Sequence, residues 1–284
     1  MDTAVPARRS GSAEFIRRHP TIVIGGLLLI LITLAAIFAP WLARDPIAFE
    51  PINRLKPPGS EFWLGTDSLG RDIFARMVYG ARISLIVGLS VAVIAITCGS
   101  VIGLLAGYFN RVDIVVMRLM DGIMAIPSIL LAIALVALLG SSVTVVIIAI
   151  SIPEVPRVTR LVRAVVLSVR DLPFVEAARS NGTRVGKLLR RHILPSTIAP
   201  LIVQATYICA SAILTEAGLS FLGAGTPPEI PTWGNMIAGN RLYLQIAPWT
   251  IFAPGICLAL VVLAVNLLGD GLRDRLDPRI SRGM

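Results

Sequence analysis

Charge is scarce in this chain. Asp, Glu, Lys and Arg make up 15% of its 284 residues, against roughly a quarter in a soluble domain. Histidine is limited to His19 and His192, and cysteine to Cys98, Cys209 and Cys257. Each absence removes a class of chemistry. No HExxH motif or Ser/His pair lies in the apolar stretches, so hydrolytic metal or triad chemistry has no carrier there. Each cysteine sits singly inside an apolar run, with no CxxC and no His/Cys cluster. They read as small packing residues, and no metal site is expected. Gly182-Thr-Arg-Val-Gly186-Lys187 approaches a phosphate loop, but three residues separate the glycines where the motif needs four. Leu188 then stands where Ser or Thr would bind the metal, so no nucleotide is bound by that route. Repeats, low-complexity linkers and a soluble domain are also missing.

What the chain has is apolar surface. Apolar residues make up 55% and mean hydropathy is +0.80. Several apolar runs reach the ~20 residues that cross a bilayer as helix. The expected fold class is therefore all-α, a polytopic membrane protein. A net charge of +9 raises the question of nucleic acid, but the basic residues flank the apolar runs, as cytoplasmic loops do under the positive-inside rule. Arg17-Arg18-His19 before residues 21–42 resembles the start of a signal peptide. That apolar run is too long for an h-region of ~7–15 residues and reads as a retained first span.

Taken in order, residues 1–20 form a basic tail and 269–284 a charged one, with spans at about 21–42, 84–108, 198–222 and 249–268. The run from 123 to 152 is one long tilted helix or a hairpin broken at Gly140-Ser141-Ser142. Charge separates the two. With a hairpin, spans at about 123–139 and 143–161, and the tail inside, 19 of the 26 Lys and Arg fall inside and 7 outside; with a single span the numbers reverse. The positive-inside rule selects the hairpin, hence six transmembrane helices with both termini cytoplasmic. Residues 21–268 then form one transmembrane domain, with a cytoplasmic loop at about 162–197. Residues 43–83 lie outside, where the amphipathic part, 72–83, either rests on the membrane surface or meets an external partner.

Within the spans, Gly99, Gly103 and Gly107 recur every four residues and form a packing seam. Glu154 and Arg157, at i and i+3, neutralise each other. Glu216 is the one acid deep in an apolar run, and Gln204, Tyr207, Ser211 and Thr215 lead up to it at helical spacing. That stripe reads either as the polar wall of a solute path or as interhelical hydrogen bonding. Asn266 poses the same choice and leans to structure.

Residues 171–195 stand apart. Leu172, Val175 and Ala178 fall at helical spacing, Asn181-Gly182 is a left-handed stop, and a second helix restarts at Thr183. Val185, Leu188, Leu189 and Ile193 share one face of it, and Arg184, Lys187, Arg190 and Arg191 the other. The expectation is two short helices bent at a glycine, with an apolar stripe that this chain does not bury. Glu176-Ala177-Ala178, then Gly182, His192 and Leu194-Pro195 in their order and spacing, resemble the EAA loop of binding-protein-dependent ABC importer permeases. His192 before x-Leu-Pro, where isoleucine is commoner, points to the peptide/nickel branch. Residues 64–72, 80–85, 214–223, 231–236 and 266–274 are similar to that branch too, and the resemblance, over roughly residues 20–280, is nearest the C-type subunit of the dipeptide/oligopeptide importers.

The resemblance implies a multi-pass permease subunit of a bacterial inner membrane. Its EAA loop would seat in a groove on a cytoplasmic ATPase; two such subunits would bind the ATP, so the chain itself is no enzyme and needs no cofactor. A homologous permease would complete the path, and an extracytoplasmic binding protein would deliver solute, most simply a di- or oligopeptide, with nickel complexes and glutathione also within the family's range. A self-sufficient secondary transporter built on Glu216 is the rival class.

Overall fold

The structure, a computed structural model of the chain, describes residues 20–276. The predicted basic tail, with Arg8, Arg9, Arg17 and Arg18, and the last eight residues lie outside the described ones. Among those described there is no strand, only an isolated bridge between Thr66 and Asp72. The long helices are α1 (Pro20–Ile37), α3 (Ile73–Tyr108), α6 (Val143–Val169), α9 (Pro195–Phe221) and α11 (Trp249–Leu276). Shorter ones connect them: α2 (Ala39–Leu42), α4 (Asn110–Met124), α5 (Ser128–Leu139), α7 (Pro173–Ser180), α8 (Val185–Leu188) and α10 (Trp233–Asn240).

Four helices, α1, α3, α9 and α11, are long and apolar enough to cross a membrane. The bent pair α4–α5 adds a fifth if it counts as one span. The remaining predicted span corresponds to α6, which carries Glu154, Arg157, Arg160 and Arg163; its charge keeps it out of that group. The 30-residue apolar run resolves into a hairpin. α5 ends at Leu139, Gly140 takes φ +85°, and the Ser142 hydroxyl accepts from the Val145 amide at 3.2 Å to start α6. Between α4 and α5 the axis turns by 86° ahead of Pro127, which cannot donate to a continuing helix.

Helix boundaries differ from the predicted spans where packing extends them. α3 begins at Ile73, eleven residues before the predicted span, and its first turns are buried rather than spread on a surface, with Ile73, Ala75 and Arg76 all inside. α6 runs on to Val169, well into the predicted loop, because Val162 and Val166 remain in the core.

The reason is the glycine seam. A Cβ on Gly99 would stand 2.5 Å from Val158 Cβ. On Gly103 it would meet the Thr159 carbonyl at 2.7 Å and Val162 Cβ at 2.8 Å, and on Gly107, Val166 Cβ at 2.6 Å. Three glycines a turn apart thus receive three valines a turn apart, and α3 and α6 touch backbone to backbone. Val158, Val162 and Val166 are fully buried there.

The bundle has two ends. Gly25 of α1 packs on Ala264 and Leu268 of α11, which brings the start of one beside the end of the other. The ends of α3 and α6 meet at Gly107 and Val166 on that same side of the seam. At the far end the 43–72 segment is pinned to the α10 region. Ser68 N–H donates to Asn240 Oδ1 at 3.2 Å, Arg54 Nη2 to the Tyr243 hydroxyl at 2.9 Å, and the Trp249 indole to the Thr66 carbonyl at 3.4 Å. Asp67, fully buried, receives the Leu69 and Arg71 amides and the Arg71 guanidinium. Asp72 caps α3 through the Phe74 amide at 2.9 Å, and burial raises its carboxyl above the usual range against the pull of that bond. Gly103→Val is expected to force α3 from α6, lowering stability by about 2–3 kcal/mol, read as a fall in melting temperature of the detergent-solubilised protein.

Candidate functional site

The 171–195 segment grows out of the last turn of α6. Arg170 ends that helix, and its Nη1 donates to the Gly107 carbonyl at 2.9 Å and to Asn110 Oδ1 at 3.2 Å. The exit of α6 is thereby tied to the junction of α3 and α4. Pro173 opens α7 at a position where its missing N–H costs nothing, and Glu176 in the first turn suits the positive end of the helix dipole. α7 stops as the sequence reads. The Gly182 amide donates to Arg179 O at 3.0 Å and the Thr183 amide to Ala178 O at 3.1 Å, with Gly182 at φ +75°. That pair of bonds is a Schellman stop, which needs the left-handed residue glycine supplies. No atom lies within 4 Å of the position a Gly182 Cβ would take, so backbone conformation, not space, requires the glycine. After α8 the chain widens into a π turn, Leu189–Ile193, closed by the Leu194 amide on Leu189 O at 2.8 Å.

The apolar stripe predicted to lack a place of its own is divided in two. Val175, Leu188 and Ile193 are buried in the main core of this chain, with Ala178 and Leu189 packed against it. Leu172 and Val185 are exposed, joined by Phe174 at 49% exposure. The uncovered apolar surface is therefore smaller than the periodicity suggested, and its aromatic member lies off the predicted stripe. Glu176, Ala177 and Gly182 are exposed beside it, His192 and Leu194 are half-buried, and Pro195 is exposed at the start of α9. Arg179, Arg184, Lys187, Arg190 and Arg191 face outward.

The α9 stripe also divides. Tyr207 is exposed, while Gln204, Ser211 and Thr215 are half-buried. Gln204 lines a cavity of about 580 Å³ with Val203, Pro200, Leu161 and Arg273. The Thr215 hydroxyl turns back onto Ser211 O at 2.8 Å. Glu216 leaves this row altogether. It is 1% exposed and accepts from Ser220 Oγ at 2.8 Å and Thr226 Oγ1 at 3.4 Å. Asn235 continues the network, donating through Nδ2 to Thr226 Oγ1 at 2.9 Å and to the Pro227 carbonyl at 2.9 Å. Of the two readings of Glu216, the geometry favours hydrogen bonding within the fold: it anchors the loop between α9 and α10. Spacing alone put Glu216 with the stripe; its partners are Ser220, one turn further along α9, and Thr226 in the loop that follows, which the spacing of the stripe does not reveal.

A helical bundle with several apolar helices long enough to cross a membrane and an exposed, glycine-bent segment at one end defines a class, the multi-pass helical membrane proteins. The comparisons supply the family. A model described as the binding-protein-dependent transport system inner membrane component matches residues 99–282, and one for the N-terminal transmembrane domain of oligopeptide transport permease C matches residues 15–58. The chain is 60% identical over 266 residues to a probable peptide ABC transporter permease protein, y4tQ, of Sinorhizobium fredii, covering 94% of this chain and 91% of that one. It is 46% identical to the dipeptide transport system permease protein DppC of Alkalihalophilus pseudofirmus, covering 98% and 92%. A chain of the inward-facing MetNI methionine ABC transporter shares the fold at TM-score 0.57 and 17% identity, over 72% of this chain and 98% of that one. The chain belongs to the binding-protein-dependent ABC transporter permeases and is a multi-pass protein of the bacterial inner membrane.

If Glu216 serves the fold, Glu216→Gln keeps the Ser220 and Thr226 hydroxyls paired and leaves uptake near wild type. Glu216→Leu removes the acceptor of both hydroxyl protons and lowers stability by about 2–3 kcal/mol, read by thermal unfolding in detergent.

Proposed function

We propose that this permease forms half of the translocation path of an ATP-driven importer for di- or oligopeptides. It would sit in the membrane with six spans and both termini in the cytoplasm, so that residues 171–195 face the ATPases. A homologous permease supplies the other half of the path, two ATPase subunits bind and hydrolyse ATP, and an extracytoplasmic binding protein delivers the solute. The chain catalyses no reaction and holds no cofactor. The single observation that carries this reading is the α7–α8 unit: anchored inward by Val175, Leu188 and Ile193, yet offering Leu172, Phe174 and Val185 outward. An element tied to its own core and apolar on its free side transmits a push as a lever does. Peptide as solute rests on relatives named for peptide and dipeptide transport at 60% and 46% identity. Glutathione is the second candidate, since the chain is also 41% identical to the glutathione transport system permease protein GsiD of Pectobacterium atrosepticum.

Glu176, Ala177, Ala178, Gly182, His192, Leu194 and Pro195 are the coupling residues in this account. ATP-driven closure of the ATPases moves α7, Gly182 holds the angle between α7 and α8, and α6 and α9, which flank the segment, shift access across the membrane. In proteoliposomes the chain is expected to be inert under an ion gradient alone and to import a labelled dipeptide once partner permease, ATPases, binding protein and ATP are present. Ion-driven uptake without the ATPases would overturn the reading.

Two substitutions test the segment. Gly182→Val forces a β-branched residue into the left-handed region at a local cost of about 1–2 kcal/mol. Uptake is expected to fall at least about tenfold while membrane insertion is kept, and Gly182→Asn, which tolerates that conformation, should retain most of it. Phe174→Ala removes the exposed aromatic, and ATPase association is expected to weaken by about tenfold or more, measured by co-purification across a dilution series.

A further inference from the structure

The exposed surfaces of the long helices differ in kind. α1 offers Ile24, Leu27, Ile30, Leu31 and Leu34 outward, and α11 offers Phe252, Ile256, Leu260 and Leu263. Those are faces that lipid can cover. Along α6 the one exposed large apolar side chain is Ile148. From there towards the coupling segment the exposed positions are Arg157, Arg160, Ala164 and Ser168, spaced by three, four and four residues. They form a single stripe, opposite the Val158, Val162 and Val166 row that fills the glycine seam. A stripe of two guanidiniums and two small residues is unsuited to acyl chains.

Each guanidinium is held by one acid, Arg157 by a buried one and Arg160 by an exposed one. Glu154, 6% exposed at its side chain, accepts from Arg157 Nη1 at 2.8 Å through Oε1, while its Oε2 has no hydrogen-bond partner. Arg160 pairs with Asp121 of α4 at 2.5 Å. Each arginine has one anchoring acid and still leaves about 40% and 45% of its side chain uncovered. The arrangement fixes a cation and keeps donors free, as recognition of a carboxylate requires.

We propose that the Arg157, Arg160, Ala164 and Ser168 stripe is a water-facing wall of the translocation path, and that Arg157, positioned by Glu154, receives solute carboxylates as they pass. This rests on the importer reading above and adds to it a cation that favours acidic over basic solutes.

Two experiments on the reconstituted, complete importer test it. The first measures uptake of an acidic and a lysine-bearing dipeptide side by side, so that the amount of inserted protein cancels in the ratio. Arg157→Ala is expected to lower the acidic-to-basic ratio about tenfold, and Arg157→Lys to restore much of it. An unchanged ratio in a complex that still imports overturns the carboxylate role alone, whereas a wild-type complex that imports neither peptide overturns the importer reading and this inference together. The second replaces Cys98, Cys209 and Cys257 by alanine and adds A164C, S168C or L263C singly. A membrane-impermeant thiosulfonate is expected to label A164C and S168C at least about tenfold faster than L263C in the assembled complex. If A164C and S168C are as slow as L263C, the partner permease covers the stripe and the wall assignment falls. Should R157A fail to insert, Arg157→Gln takes its place in the ratio measurement, with the same fall expected and an unchanged ratio again overturning the carboxylate role.

Discussion

The close approach of α3 and α6 is the constraint from which the rest of the arrangement follows. Gly99, Gly103 and Gly107 leave no side chain on one face of α3, and Val158, Val162 and Val166 occupy the space. Without a hydrophobic driving force between helices in lipid, such contact depends on dispersion between closely fitted backbones. Its rigidity fixes the rotation of α6 about its own axis. With the valines turned to α3, Arg163 reaches Asp113 of α4 through a bidentate pair at 2.5 and 2.6 Å, and the Arg157 to Ser168 stripe turns away from the seam.

The seam also sets where the 171–195 segment begins. Arg170 follows the last seam valine by one turn and is clamped on the Gly107 carbonyl of the last seam glycine. A movement imposed on α7 therefore reaches α6 through one turn of helix and α3 through one guanidinium. On the other side, Ile193 is buried and the π turn leads directly into α9. The segment has a stiff attachment at each end and one flexible choice between them, the left-handed Gly182. The opposite end of the bundle is organised differently. There Asp67, Glu216 and Asn235 hold irregular loops together through buried hydrogen bonds, which suits a cap better than a lever.

Much of this was legible before any fold was known. Low charge and long apolar runs declared the membrane class, the placing of Lys and Arg selected a hairpin at Gly140-Ser141-Ser142, and Asn181-Gly182 marked the bend. These signals are local: each depends on a residue's own backbone preference or on the solvent its neighbours require. Less legible were the features decided by which side chains meet in the fold. Val175 and Leu188 looked uncovered because nothing in their own segment reveals that the α6 and α9 core receives them. Glu216 stood open between a solute path and structural hydrogen bonding, because spacing on α9 does not show that Ser220 and Thr226 donate to its carboxylate. Residues 72–83 stood open between the membrane surface and an external partner, because their amphipathic pattern does not say which face meets protein.

By itself, then, the sequence determined the class of protein, the order of its apolar elements, the glycine seam and the family-like spacing from Glu176 to Pro195. Those features are written in periodicity, charge and residues with restricted backbone conformations. Only the tertiary structure decided which half of the apolar stripe stays free, where Glu216 spends its hydrogen-bonding capacity, and which side of α6 is left polar and uncovered. Each of those outcomes depends on the rotation of one helix against another, and that rotation is set by which side chains meet, not by their order along the chain.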